Sequence, residues 1–315
     1  MTEMNDRFTH PDMRGRTVLI TGATAGIGYE TARVLAERGA QVVITGRDTG
    51  RGERAAAAIR GESGNERVSF LQADHSTVGG NEELAGRVSE TFSSLDVLVN
   101  NVGGSYAHRW ETADGYEATL AMNLVGPFAL ARELLPLLRV NAPSRVINVG
   151  SAAFQMWKRD PLEDVQSREQ FVGAEAYAQT KLLNLLFTLA LARRRAPEQV
   201  TVNTLHPGLS WTEMTQSMTP ETMPFPKALW PFLRLMQRLG SPAKAGRRVA
   251  FLASSPDVSA YTGAYFTGGP TPRQLSAREL DEENQERAWR LAAELVASAP
   301  TSRRRAREVR ERVSV

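Results

Sequence analysis

The sequence predicts an α/β protein with a doubly wound parallel sheet of six to seven strands in a single domain. Three observations carry that expectation. Short apolar runs of β character alternate with helical patterns through the first half of the chain, as successive βαβ units require. The first run leads directly into a glycine-rich turn and a helix. No internal repeat or second compositional domain interrupts the 315 residues, a length one α/β core accommodates.

In chain order, Thr17–Thr21 reads as the first strand, followed by the glycine turn and a helix over Ile27–Arg38. Gln41–Thr45 is the second strand, and an alanine-rich helix spans about Thr49–Arg60. Val68–Gln72 is the third strand, with a helix near Asn81–Ser93, and Leu95–Val99 is the fourth. The next helix, about Asp114–Leu138, contains Asn123 and an internal Pro136 that should end or kink it. Arg145–Val149, the helix Ala176–Arg195, Val200–His206 and a short Ala264–Thr267 complete the pattern. Residues 1–13 form an N-terminal extension, 14–298 the body, and 299–315 an arginine-rich tail.

Two segments break the rhythm. Residues 155–175 insert polar, irregular sequence, and residues 213–240 are rich in Met, Pro and Trp. The apolar side chains of the second segment (Met214, Met218, Met223, Phe225, Trp230, Phe232, Leu235, Met236) suit either a core or a flap over a substrate.

Hydrophobic residues make up 42% and charged residues 23%, a soluble globular composition. Cysteine is absent, which excludes disulfides, thiolate catalysis and cysteine-ligated metals. The four histidines (His10, His75, His108, His206) are scattered, so no metal site is expected. Met1–Arg16 has no signal-like apolar core and no run of about 18 apolar residues occurs, so a cytoplasmic location without a membrane span is expected. The pI near 9.4 arises at one end. Without the six arginines and two glutamates of residues 303–315, the 38 basic and 35 acidic residues come nearly into balance. Such a tail is ordinarily a solvated charge run, and no nucleic-acid partner is expected.

The turn after the first strand reads Thr21-Gly22-Ala23-Thr24-Ala25-Gly26-Ile27-Gly28. Glycines there allow a tight turn and close backbone approach by a pyrophosphate, while the following helix supplies amide donors. Gly22, Thr24, Ala25, Gly26, Ile27 and Gly28 are therefore candidate cofactor contacts. The second strand ends Thr45-Gly46-Arg47-Asp48. A glycine stands where an NAD site places a carboxylate, and the adjacent Arg47 suits a 2′-phosphate, which favours NADP(H). The alternative for Arg47 is a surface charge at a helix start. Tyr177 and Lys181 lie four residues apart, so phenol and ammonium project from one helical face. A cation held there lowers a phenol's pKa from about 10.

The glycine loop, Asn100-Asn101-Val102-Gly103, Ser151 and Tyr177-x-x-x-Lys181 occur in one order and together resemble the short-chain dehydrogenase/reductase family over roughly residues 14–270. The spacer before Tyr177, Gly46-Arg47-Asp48, Thr180-Lys181-Leu182-Leu183-Asn184 and Leu205-His206-Pro207-Gly208 are similar to its retinol-dehydrogenase-like and protochlorophyllide-reductase-like branch. The resemblance implies a Rossmann-type fold and catalytic roles for Asn123, Ser151, Tyr177 and Lys181. It implies cofactor contacts at Asp74, His75, Asn100, Asn101, Gly103, Tyr177, Lys181, Pro207, Gly208, Ser210 and Thr212. Tyr177 would be the general acid, Lys181 its tuning cation and ribose partner, Ser151 a donor to the carbonyl oxygen, and Asn123 the support of a water leading to solvent. The chain departs from the family at Val102, Gly150 and His75, and no N-terminal anchor is expected. A homodimer or homotetramer is implied, formed through apolar helices such as the one after Lys181.

The expected activity is NADP(H)-dependent interconversion of a ketone or aldehyde and an alcohol. Phe154, Met156, Trp157 and Trp211, together with residues 213–240, suggest a bulky apolar or aromatic small molecule. Reduction of a C=C bond, a redox-neutral reaction, or a regulator that binds NADP without turnover are the alternatives.

Overall fold

The computed structural model describes residues 11–195, 199–208, 210 and 240–302. Residues 213–239 of the expected flap, Trp211, Thr212 and residues 303–315 lie outside the described residues. Strands β1 (Thr17–Ile20), β2 (Gln41–Gly46), β3 (Val68–Gln72), β4 (Val97–Asn100), β5 (Ser144–Val149), β6 (Val200–Leu205) and β7 (Tyr265–Phe266) form one sheet. Its order is β3-β2-β1-β4-β5-β6-β7, and every neighbouring pair is parallel. The strand order reverses between β1 and β4, and ligands of such sheets bind outside the carboxyl ends at that reversal. Register keeps those ends level: Ile20 pairs with Val99, Asn100 with Asn148, and Val149 with Leu205. The loops that follow β1, β4, β5 and β6 therefore emerge along one edge.

The inner strands β1, β2 and β4 are mostly apolar on both faces because helices cover both. On one side lie α1 (Gly26–Glu37) and α6 (Pro242–Ser254), in contact where a Cβ on Gly246 would come within 2.5 Å of Glu30 Cβ. On the other are α3 (Val78–Thr91), α4 (Ala118–Val140), α5 (Gly173–Arg195) and α8 (Glu282–Ser298). Helix α2 (Thr49–Ser63) and the short α7 (Ala277–Leu280) complete the set among the described residues. Helices α6, α7 and α8 were not among the expected elements, although Ser241-Pro242 and Asp281 carry start signals. Ser241 accepts from Lys244 N–H, and Asp281 from Glu283 N–H.

Helix α4 begins at Ala118 rather than near Asp114, because the Glu117 carboxylate accepts from the N–H groups of Thr119 and Leu120 (2.8 Å each). Pro136 does not end it. An interior proline costs about 3 kcal/mol, whereas the neighbouring Leu134, Leu135, Leu137 and Leu138 are all buried, each contributing about 1.5–3 kcal/mol. The irregularity lies earlier, as a π-helical turn over Ala121–Val125. Among the described residues α4 is the one helix long and apolar enough to cross a membrane, and 72% of its most apolar window is buried within the fold.

The apolar residues after Lys181, expected to meet a second copy, are instead covered by α8 of the same chain. Trp289 of α8 lies edge-on to Phe128 at 4.9 Å and tilted against Phe187 at 6.4 Å, with the Arg194 guanidinium 4.2 Å from its ring centre. The described C-terminal residues also depart from the expected boundary at 299. Ala299 and Ser302 are buried, and Thr301 donates from N–H (3.0 Å) and Oγ1 (2.6 Å) to Asp114 Oδ1. At the other end Met13, expected in the extension, is buried and its N–H donates to Arg38 O at 2.8 Å.

Phe128 is the side chain shared by α4, α5 and α8, and it is 1% exposed. Phe128→Ala is expected to lower stability by about 3–5 kcal/mol, read as a lower urea midpoint at unchanged slope. A loss under about 1 kcal/mol would show that α8 does not depend on this contact.

Candidate active site

The glycine turn after β1 is built for close approach. Gly22 (φ 63°) and Gly26 (φ 61°) occupy the left-handed region. A Cβ on Gly22 would lie 2.6 Å from Val102 Cγ2, and one on Gly28 2.6 Å from Asn101 Nδ2. Asn101 holds the turn by donating from Nδ2 to the carbonyls of Thr21 (2.9 Å) and Gly22 (3.1 Å). Thr21 Oγ1 accepts from the N–H groups of Asn101 and Val102 (2.9 and 3.0 Å). Helix α1 starts at Gly26 behind Ala25 with no side-chain cap, whereas α2 and α3 are capped by Asp48 and Thr77. Its first amides and positive dipole end face the crevice, a ready site for a phosphate group.

At the end of β2, Gly46 lets Thr24 approach, since a Cβ there would meet Thr24 Cγ2 at 2.7 Å. Arg47 is exposed. The Asp48 carboxylate is committed to Arg51 N–H at 2.6 Å, so the helix-start charge is Asp48 rather than Arg47. After β3, Asp74 is exposed and accepts from Ser76. His75 points inward, with its ring nitrogens against Thr45 and Asn81. Asn100 is also inward and donates to Asn148 Oδ1 at 2.8 Å, tying β4 to β5. After β6, Pro207 and Gly208 (φ 99°) are held by Arg248, whose Nη1 donates to Pro207 O at 2.8 Å, and Ser210 is buried.

The second cluster comes from β5 and α5. Tyr177, Thr180, Lys181, Asn184 and Thr188 form one polar stripe on an otherwise apolar helix. The half-buried Tyr177 places its hydroxyl in hydrogen-bonding reach of Ser151. Ser151 also caps the 3₁₀ turn Ala152–Met156, accepting from Ala153 N–H at 3.2 Å. Lys181 is buried. Its Nζ donates to Val149 O at 3.0 Å and stands 5.7 Å from the Tyr177 ring centre. Burial, the larger effect, pushes the Tyr177 phenol up, and the Ser151 hydrogen bond offsets part of that rise. Burial also brings the Lys181 ammonium down to about 8. Desolvation therefore governs both groups, against the expectation that the lysine's charge would dominate the tyrosine.

Asn123 sits in the π turn, fully buried, and joins three elements. Its Oδ1 accepts from Gly104 N–H (3.0 Å), and its Nδ2 donates to Gly104 O (2.9 Å) and Thr180 Oγ1 (3.0 Å). Asn184 Nδ2 donates to Asn123 O at 2.9 Å. Both amide hydrogens of Asn123 are thus used, which leaves no side-chain donor for the expected water. A Cβ on Gly103 would lie 2.9 Å from Asn123 Oδ1 and 3.3 Å from Lys181 Nζ. Gly104, Thr180 and Arg248 were not among the expected site residues. The i, i+3, i+4 spacing from Tyr177 marks Thr180, while nothing local marks Gly104 or Arg248.

The substrate side differs from expectation. Phe154 and Trp157 are core: Phe154 packs edge-on at 5.3 Å against Tyr265, and Trp157 Nε1 donates to Asp160 O at 3.0 Å. Met156 is exposed beside them. Tyr106 lies over Gly104, where a Cβ would meet its hydroxyl at 2.8 Å, and forms an edge-on pair with the exposed Trp110 at 5.2 Å. Among the described residues no group of three or more His, Asp or Glu side chains is placed to hold a metal ion.

A dinucleotide crevice at the sheet's reversal point, beside a paired Ser and Tyr over a buried Lys, defines a Rossmann-type oxidoreductase. The short chain dehydrogenase model matches residues 16–222, and the protein belongs to that family. Human retinol dehydrogenase 13 is 36% identical over 293 residues, covering 92% of this chain and 87% of that one. A crystal structure of an uncharacterized protein from Mycobacterium paratuberculosis is 32% identical with a TM-score of 0.71, covering 91% of this chain and 96% of that one. The Pseudomonas aeruginosa RhlG/NADP active-site complex is 29% identical with a TM-score of 0.66, covering 83% and 98%. The uncapped α1 amides and the glycine cradle fit the nicotinamide dinucleotide that such a fold holds.

A buried ammonium with one backbone acceptor is a stability cost. The folded pKa of Lys181 lies below its ordinary 10.5, so the cost is full below about pH 8 and fades as pH rises toward 10.5. Lys181→Met is expected to raise Tm by about 2–4 °C at pH 7, with the gain shrinking on the alkaline side. A fall in Tm at pH 7 would show that the Val149 bond outweighs desolvation.

Proposed function

We propose that the protein is an NADP(H)-dependent enzyme interconverting a ketone or aldehyde and its alcohol on a bulky apolar small molecule. The observation that carries the reading is the grouping of Ser151, Tyr177 and the buried Lys181 ammonium at the carboxyl ends of the strands, beside the sheet's reversal point. The bound nicotinamide supplies or accepts the hydride. Ser151 orients the carbonyl oxygen, and Tyr177 gives its proton as charge develops there. Lys181, mostly protonated at pH 7 and 5.7 Å from the Tyr177 ring centre, favours the phenolate left behind until it regains a proton from solvent. Asn123 fixes the Gly103–Gly104 loop beside that ammonium. In oxidation the same groups work in reverse, with Tyr177 as the base.

The preference for NADP(H) rests on Gly46 in the place of an acid, the exposed Arg47, and the commitment of Asp48 to its helix cap. The NADP complex of a 29% identical structure supports it. The apolar substrate class is supported by Tyr106, Trp110 and Met156 around the site, and by the name retinol dehydrogenase on the 36% identical human relative.

All-trans-retinal with NADPH is therefore the first substrate to assay, by loss of NADPH absorbance. Tyr177→Phe is expected to lower turnover about 10²–10⁴-fold while NADPH still binds. Near-normal turnover in that variant would remove Tyr177 from the proton-transfer role. Arg47→Asp is expected to weaken NADPH about tenfold or more and leave NADH little changed. An unchanged ratio of the two affinities would defeat the assignment to NADP(H).

A further inference from the structure

A buried chain of side chains ends on the first glycine of the cofactor turn. Gly22 N–H donates to Thr45 Oγ1 (3.3 Å), Thr45 Oγ1 lies 2.7 Å from His75 Nε2, and His75 Nδ1 lies 2.9 Å from Asn81 Oδ1. Thr45, His75 and Asn81 are 0%, 5% and 1% exposed, so bulk water does not compete for these bonds. The chain has a direction. Asn81 Nδ2 donates to the carbonyls of Thr77 (2.7 Å) and His75 (3.3 Å), which makes Oδ1 the acceptor. His75 therefore carries its proton on Nδ1, and Nε2 accepts the Thr45 hydroxyl proton. The Thr45 oxygen, its one proton spent, presents lone pairs to Gly22 N–H. Gly22 has no side chain to set its own peptide plane, and α4 comes close enough to lock the histidine, since a Cβ on Gly126 would lie 2.7 Å from His75 O.

We propose that His75 is a positioning residue for the cofactor: as the neutral Nδ1–H tautomer it fixes, through Thr45, the Gly22 peptide and with it the shape of the glycine turn that receives the dinucleotide. This rests on the nicotinamide site proposed above and adds a residue acting through two others. An aliphatic side chain would fill the same space but strand the Thr45 hydroxyl and Asn81 Oδ1. Protonated His75 would face the Thr45 hydroxyl with a second N–H and break the chain's direction. The charged groups around the ring are Arg47 beyond β2 and Asp74 beside it, while α3 and α4 face it with Asn81 and Gly126, which do not titrate. Burial lowers the histidine below its ordinary 6.5, against the Asn81 bond and Asp74, which favour the charged form. The chain is thus complete above pH 6.5 and is lost as pH falls through the lower folded value.

The test begins with ¹⁵N NMR of the full chain at pH 7, assigning His75 as the resonance missing from His75→Leu. Protonated Nδ1 and bare Nε2 are expected, and an Nε2–H tautomer or an imidazolium would overturn the proposal. NADPH fluorescence titration is the second arm. Thr45→Val and His75→Leu should each weaken binding about tenfold, Thr45→Ser should retain it, and the double variant should be no weaker than either single. Additive losses, or a Thr45→Ser loss equal to that of Thr45→Val, would overturn the coupling. No nicotinamide nucleotide binding by the unaltered chain would defeat the functional reading and the cofactor role of His75 together. A wrong tautomer in a chain that binds NADPH would defeat this proposal alone.

Discussion

The hydrogen bonds between the Asn123 side chain and both polar backbone groups of Gly104 are the constraint on which the site depends. They join the π turn of α4 to the loop after β4, and the third bond, to Thr180 Oγ1, adds the helix that bears Tyr177 and Lys181. With this carboxamide buried, each partner lost would strand a polar group at a cost of about 1–3 kcal/mol. The π turn is the geometric consequence. One extra residue in the turn re-aims Asn123 toward Gly104 and Thr180, and its carbonyl is taken up by Asn184.

Around that joint, burial sets the electrostatics. Lys181 has one backbone acceptor and no carboxylate within ion-pair distance among the described residues, so its ammonium is easier to deprotonate than one in water. Tyr177 is desolvated in the opposite sense and relieved by Ser151. Burial thus makes the phenol hold its proton more tightly, and the ammonium less tightly, than either would in water. The stability sacrificed by burying the ammonium is available because α8 seals the far side of α5 within the same chain, through Trp289, Phe128 and Phe187.

The inner strands β1, β2 and β4 were legible because parallel strands covered on both faces read as apolar runs, and the edge strand Val68–Gln72, with Ser69 exposed, also matches its expected bounds. The helix start at Ala118 was not, because it depends on the Glu117 cap. The expected helix already ran past Pro136 to Leu138, with an end or a kink left open at the proline, and the four buried leucines carry it through to Val140. Phe154 and Trp157 looked like substrate contacts in the sequence, where apolar residues beside a reactive serine cannot be divided into core and pocket. Their partners, Tyr265 and Arg278, lie more than a hundred residues away.

By itself the sequence determined the order of the strands and of the first five helices, the glycine turn, and the Tyr177–Lys181 face, because periods of 2 and 3.6 residues and the shape of glycine are local properties. Tertiary structure decided how those groups behave. It turned His75 and Asn100 inward, assigned Asp48 to a helix cap, and left Arg47 exposed at the crevice. It also covered the apolar face of α5 with α8 and made burial the dominant influence on Tyr177 and Lys181. Desolvation and hydrogen-bond partnership depend on what other parts of the chain bring to a residue, and no spacing along the chain records that.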